Sequence, residues 1–167
     1  MYFFTSDEHY GHKNVIKYCN RPFDNAKEMD KTIIDRHNEV VSHNDTVIHG
    51  GDFTLKSNPN EYIKQLNGQH VFVRGSHDKW MNRSYHEIWE KTIDGIHVVV
   101  CHYPMTIWSR SHYGSWQLFG HVHNGPNQYR NGKQLNIGVD VNNFYPFSFD
   151  QIKKSMGDLP DNINLVK

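Results

Sequence analysis

The chain has 167 residues, which suits one domain with one main core. Lys and Arg balance Asp and Glu at 18 each, so no net charge is available to grip a long nucleic-acid duplex, and any affinity for phosphate has to be local. Apolar stretches run only a few residues and the chain opens directly into Tyr2-Phe3-Phe4 without a basic leader, so a cytoplasmic protein with no membrane contact is expected.

Residues 2–5 read as a short buried strand that ends abruptly at Ser6-Asp7-Glu8-His9, where polar side chains take over. A short helix over 14–18 is broken by Arg21-Pro22. From 26 to 42, Met29, Ile33, Ile34, Val40 and Val41 recur at roughly helical spacing among charges, which predicts an amphipathic surface helix. A strand over 46–48 runs into Gly50-Gly51-Asp52. A helix over 60–66, ended by Asn67-Gly68, leads to a strand over 70–73 and then to Gly75-Ser76-His77-Asp78.

Asp94-Gly95 has the composition of a tight hairpin turn, joining a strand that ends near Ile93 to one over 96–101, which stops at His102-Tyr103-Pro104. Residues 117–119 run into Gly120-His121-Val122-His123, and Asn131-Gly132 is a second hairpin signal before a strand over 135–137. Ser148 caps a closing helix to Met156, ended by Gly157, with Asp150 favouring its positive end. Helices between the early strands and hairpins between the late ones predict mixed sheets with helices outside.

Histidine is the compositional outlier, 13 residues scattered along the chain, and neutral imidazole is the commonest metal ligand. Five strands deliver acids or imidazoles at one end: Asp7 and His9; Asp52; His77 and Asp78; His102; His121 and His123. In extended backbone residues i and i+2 share a face, so Asp7 and His9 point at one ion, and His121 and His123 at one ion or two adjacent ones. Cys101, beside His102, points the other way into the core, which leaves carboxylate oxygen and imidazole nitrogen as donors. Two cysteines, Cys19 and Cys101, are too few for a disulfide framework and fit a reducing compartment. The donor set suits manganese, iron, zinc or nickel without choosing among them. Glycines at 50, 51, 75 and 120 let the backbone turn sharply beside a ligand.

In this order the blocks Asp7-Glu8-His9, Gly51-Asp52, Gly75-Ser76-His77-Asp78, His102 and Gly120-His121-Val122-His123 resemble those of the calcineurin-like metallophosphoesterases. Gly51-Asp52-Phe53, Leu66-Asn67-Gly68, His102-Tyr103-Pro104-Met105 and Val139-Asp140-Val141-Asn142 are similar to stretches of small bacterial and phage members. The resemblance implies one metallophosphoesterase domain over 1–167 of the α+β (mixed α/β) class, a four-layer αββα sandwich of two mixed β-sheets flanked by helices. It implies two divalent metal ions, with Asp7, His9 and His123 on the first, His102 and His121 on the second, and Asp52 bridging. It further implies that His77 protonates the leaving oxygen or stabilises its charge, and that Asp78 fixes its tautomer.

Ser76 departs from the pattern, which has Asn there as a ligand of the second ion. A serine hydroxyl is shorter and a poorer donor, so a water fills the gap, or the second site is weak, or the residue is a substitution that weakens it.

The implied activity is hydrolysis of a small or nucleotide-like phosphodiester by a water that the two ions activate. A phosphomonoesterase or nucleotidase is the enzymatic rival, and a binding scaffold with a weakened second metal site is the rival from another class. Taken singly, the same residues are ordinary polar surface and hydrogen-bonded histidines; the order of all five blocks favours a site. His12 is either a loop imidazole or a phosphate contact. Tyr103, Trp108, Arg110, Tyr113 and Trp116 either stack on a base with Arg110 on a phosphate, or pack under a loop. His37, His43, His49, His70, His86, His97 and His112 are given no role.

Overall fold

In a computed structural model, residues 1–82, 85–125 and 131–163 are described. In chain order the elements are β1 (Tyr2–Thr5), α1 (Lys13–Tyr18), α2 (Ala26–Val40), β2 (Thr46–His49), α3 (Asn60–Ile63), β3 (Gln69–Phe72), β4 (Ile88–Ile93), β5 (Ile96–Cys101), β6 (Trp116–Phe119), β7 (Gln134–Asn136), β8 (Phe147–Ser148) and α4 (Phe149–Met156). Short 3-10 turns occur at Ser111–Tyr113 and Val139–Val141.

Alternation along the strands sorts the core into layers. Phe4 of β1 and Ile48 of β2 turn to one side and meet Val98, Val100, Leu118 and Ile137 between the sheets. Phe3 and Val47 turn to the other side and cluster with Val41 just past α2. There α1, α2 and α3 bury Val15, Met29, Ile33 and Tyr62 against Tyr10 and Phe53. Each such burial is worth about 1.5–3 kcal/mol. Helix α4 contributes Phe149, Ile152 and Met156 to the core between the sheets and packs against β1, β7 and β8. Its start is set by a capping box in which Ser148 and Gln151 satisfy each other's backbone N–H.

The sheets have the orders β3-β2-β1-β8 and β4-β5-β6-β7. In the first, β1, β2 and β3 run parallel and β8 antiparallel; in the second, β5, β6 and β7 run parallel and β4 antiparallel. Two mixed sheets with four helices are the mixed α/β sandwich expected. The hairpin at Asp94-Gly95 is present, both residues in the left-handed region that its tight turn requires. Asn131-Gly132 is a correction: β7 pairs parallel with β6, so these residues do not join antiparallel neighbours. The helix expected over 60–66 is confined to Asn60–Ile63, and turns fill the rest. Among the described residues, no helix is long and apolar enough to cross a membrane.

Candidate metal centre

The C-terminal ends of the parallel strands meet on one side, where an isolated bridge between Ser6 and Gly138 links the two sheets. There the backbone leaves extended geometry. Asp7, His9, Asp52, His121 and His123 have φ of 59°, 55°, 57°, 70° and 48°, a left-handed conformation that costs a non-glycine residue of order 1–3 kcal/mol. The strand rule for i and i+2 therefore is not the reason these side chains converge, although Asp7 and His9 do meet in one donor set and His121 and His123 stand in adjacent ones. Backbone bonds hold the conformation: Asp7 N–H donates to Gly51 O at 2.9 Å and His9 N–H to Asp52 O at 3.0 Å. His121 N–H donates to both Asp7 carboxylate oxygens at 3.0 Å. Close approach needs glycine, since a Cβ on Gly120 would collide with Ser6 Oγ and Asp7 Oδ2, and one on Gly75 with Asp52.

Two donor sets result. Ligand atoms of Asp7, His9 and His123 lie within 4.8 Å of one another, and so do those of Asp52, His102 and His121. Asp52 joins the sets: its Oδ2 is 3.3 Å from His102 Nε2 and 3.6 Å from His9 Nε2. His102 Nδ1 donates to Gly50 O at 3.0 Å, so in the neutral ring Nε2 is a lone pair turned toward a carboxylate. Both Nε2 atoms are buried and have no hydrogen-bond partner. A buried ring nitrogen with no hydrogen-bond partner, set beside a carboxylate, is satisfied by a proton or by a cation lying between them. The residues fit a divalent transition metal, whose donors are imidazole nitrogen and carboxylate oxygen.

In the metal-free site, protonation responds to the same crowding. Burial raises the Asp7 carboxyl to about 6, against the pull of His102 and His123. Burial also drives the His9 imidazole far down, although Asp52 favours its charge. Burial alone would raise Asp52, but His102, the His77 backbone N–H and His9 together outweigh it and hold this carboxyl below the usual range.

Two residues that carried no role in the sequence organise the first set. Asp140 Oδ2 accepts from His123 Nδ1 at 2.7 Å, and Arg21 clamps both Asp140 oxygens, from Nε at 2.7 Å and Nη2 at 2.8 Å. The same guanidinium donates to the carbonyls of Glu8 at 2.9 Å and Asp7 at 2.6 Å, so it ties the first site loop to Asp140. Burial lowers the His123 imidazole, but Asp140, Cys19 and the nearby Asp7 carboxylate together outweigh that and lift it to about 10. In the sequence Arg21 marked only a helix break, and Asp140 stood only within a stretch of family likeness. Cys101 is buried and free, whereas Cys19 has its sulfur within reach of His123 and Asp140. That amends the expectation of oxygen and nitrogen donors alone, although the Asp140 oxygens are already taken by Arg21 and His123.

His77 lies at the rim, its side chain 40% exposed, with its backbone N–H donating to Asp52 Oδ1 at 2.8 Å and its Nε2 3.9 Å from Asp52 Oδ2. Asp78 is a correction: it makes no hydrogen bond to the His77 imidazole. Its carboxylate instead accepts from the backbone N–H groups of Asp52, Phe53, Thr54 and Gly75 and from the Trp80 indole. Asp78 therefore shapes the loop that presents Asp52. Ser76 is exposed, with Oγ 3.3 Å from Asp52 Oδ2. His12 reaches the cluster, Nδ1 lying 3.4 Å from His9 Nδ1.

Arg110 does not reach it. It lines a separate cavity with Gly95, His97 and Tyr113, beside the β4–β5 turn and at the end of β5 opposite His102, which corrects its assignment to substrate. Trp108 and Trp116 are buried, and of that aromatic group Tyr103 meets the site, its ring 4.8 Å from that of His121. Behind the site His49 bridges Glu8 at 2.6 Å and His70 at 3.0 Å, and His37 bonds Asn67 O at 2.8 Å.

No family model matches the chain. The solved structure of AQ665 from Aquifex aeolicus, a protein of unknown function, shares the fold with a TM-score of 0.74 and 26% identity over 93% of this chain and 98% of that one. A single mutant of Vps29 from Entamoeba histolytica is more remote, with a TM-score of 0.47 and 16% identity over 74% of this chain and 64% of its own. The uncharacterized protein MJ1445 of Methanocaldococcus jannaschii is 37% identical over 161 residues, 91% of this chain and 89% of that protein. With that identity sustained along nearly the whole of both chains, this protein belongs to the family of the archaeal MJ1445 protein.

Proposed function

We propose that this protein is a metal-dependent phosphoesterase holding two divalent ions, and that it hydrolyses a small or nucleotide-like phosphodiester. The observation that carries the reading is the pair of buried, partnerless nitrogens, His9 Nε2 and His102 Nε2, turned toward the one Asp52 carboxylate. Asp7, His9 and His123 would hold one ion, His102 and His121 the other, with Asp52 shared and Ser76 at the exposed side. Manganese, iron, zinc and nickel all suit these donors. Divalent cations held there would supply Lewis acidity, lowering the pKa of water and drawing charge from phosphate oxygens.

The chain's own groups do the rest. Asp7 and Asp52 offset cationic charge, and the His121 amide fixes how Asp7 presents its oxygens. His77, outside both donor sets but beside Asp52, delivers a proton from its imidazole to the leaving oxygen. A diester is favoured over a monoester because Arg21, the guanidinium beside the cluster, is buried and consumed by Asp140 and backbone carbonyls. No described Lys or Arg lines the cavity at the cluster to take a monoester's second charge. Both cysteines are free, which fits the reducing cytoplasm in which we place the protein.

The test is hydrolysis of bis-p-nitrophenyl phosphate and p-nitrophenyl phosphate by chelated protein reloaded with manganese, zinc or magnesium. Diester turnover that returns with metal and exceeds monoester turnover is the expected result. Preference for the monoester would favour a nucleotidase, and bound metal without turnover of either would favour a scaffold.

A further inference from the structure

Beside the metal centre lies a cavity of about 360 Å³, within the ~300–1,000 Å³ common for small-molecule sites. His77 and His123 contribute to its lining, and α1 supplies Val15 and Tyr18, with Val122 completing an apolar surface. Val15 is buried and makes a floor, whereas Tyr18 is 76% exposed, a large ring that covers no core. The Tyr18 ring stands edge-on to that of His12, with centroids 6.5 Å apart. Among the described residues that line the cavity there is no Asp, Glu, Lys or Arg.

Resting on the phosphoesterase reading, we infer that this cavity receives the leaving alcohol of the ester, and that this alcohol is an uncharged, ring-bearing group of about nucleoside size. His77 is the residue placed to protonate the leaving oxygen, so whatever is attached to that oxygen extends past His77 into the space that His77 lines. A flat ring gains there by covering Tyr18, Val15 and Val122. A second anionic group on the same alcohol would lose hydration in this cavity without meeting a Lys or Arg among its described lining residues. The inference separates nucleoside-like leaving groups from leaving groups that carry further phosphate or carboxylate.

Two diesters test it: methyl 4-nitrophenyl phosphate, and the same ester with a carboxylate on the ring beside the nitro group. The leaving phenols are similar in acidity, so a difference in rate reports the cavity. The native protein should prefer the neutral ester by about tenfold or more in kcat/KM, a usual scale for pocket discrimination. Tyr18→Ala should raise KM for the neutral ester by about fivefold or more, and Val122→Lys should erase or reverse the preference. Equal kcat/KM for both esters, unmoved by Val122→Lys, would overturn the cavity assignment and leave the phosphoesterase reading standing. Hydrolysis of neither ester by metal-loaded protein would overturn both. Should Val122→Lys not fold, adenosine titrated into the native metal-free protein decides: shifted Val15 and Val122 methyl resonances support the assignment, and unmoved ones overturn it.

Discussion

Asp140 Oδ2 accepts a hydrogen bond from His123 Nδ1 at 2.7 Å, and that contact decides which nitrogen of the ring is left for Asp7 and His9 to share an ion with. Asp140→Asn should weaken metal binding at the first set by about 10–100-fold, the usual effect of losing a carboxylate behind a histidine ligand. It should also lower the melting temperature, because Arg21 stays buried with its counter-charge removed, a loss that reaches about 3–5 kcal/mol in buried pairs. Calorimetric metal titration and thermal unfolding read the two effects separately. A variant that binds metal as tightly as the native protein would detach Asp140 from the site.

His77 lies outside both donor sets, so His77→Ala should retain the native metal content while losing ~10²–10⁴-fold in turnover. The loss should shrink for p-nitrophenolate, which leaves without a proton, relative to an alkoxide. Equal losses for the two leaving groups, with chemistry limiting both, would remove the proton-donor role.

Ser76 Oγ is 3.3 Å from Asp52 Oδ2 and the residue is exposed, so it offers the second donor set a weak oxygen. An Asn side chain reaches one bond farther and presents a more polar amide oxygen. Ser76→Asn should therefore tighten the second ion and leave the first nearly unchanged, raising turnover at limiting metal and narrowing the gain at saturation. A titration in which neither ion tightens would show that Ser76 is not a weakened ligand position.

Burial lowers the His37 imidazole to about 4, although the Asn67 carbonyl it bonds pulls upward. In the unfolded chain the ring takes a proton near its ordinary ~6.5. Between those values the unfolded state holds more protons, so this share of stability is complete above about 6.5 and is lost as pH falls toward 4. His49, lowered by burial to about 3, acts in the same direction. The Asp7 carboxyl, raised by burial to about 6, acts in the opposite direction, so the test is a comparison. As pH falls across that window, the chelated His37→Gln protein should lose less thermal stability than the chelated native protein. Identical slopes for the two proteins would exclude His37 as the source.

Asp7, His9, Asp52, His102, His121 and His123 were legible because each follows a short apolar strand, where a plain turn would select Gly, Pro, Asn or Ser and not repeated imidazoles. The strands around them were legible because those apolar runs are short and sharply bounded. Less visible was how the site residues converge, since a φ near +57° at Asp52 or +59° at Asp7 is held by hydrogen bonds to another strand end and leaves no mark in residue type. Adjacency misled at Asp78, which neighbours His77 in the chain but spends its oxygens on amides at 52–54 and 75. Arg21 and Asp140 escaped because they stand 119 residues apart and only the packed fold brings them together. β8, two residues long, is too short to show a period.

Whether the cluster holds two ions that meet at Asp52 is decided most directly by counting metal. Native protein and Asp52→Ala, stripped by chelation, reloaded with manganese or zinc and desalted, are assayed for bound metal per chain by plasma emission. Two ions on the native protein and loss of both in the variant is the predicted result, since Asp52 is the carboxylate that both His9 and His102 face. A native protein that retains no metal, or a variant that keeps one ion at full occupancy, would contradict it.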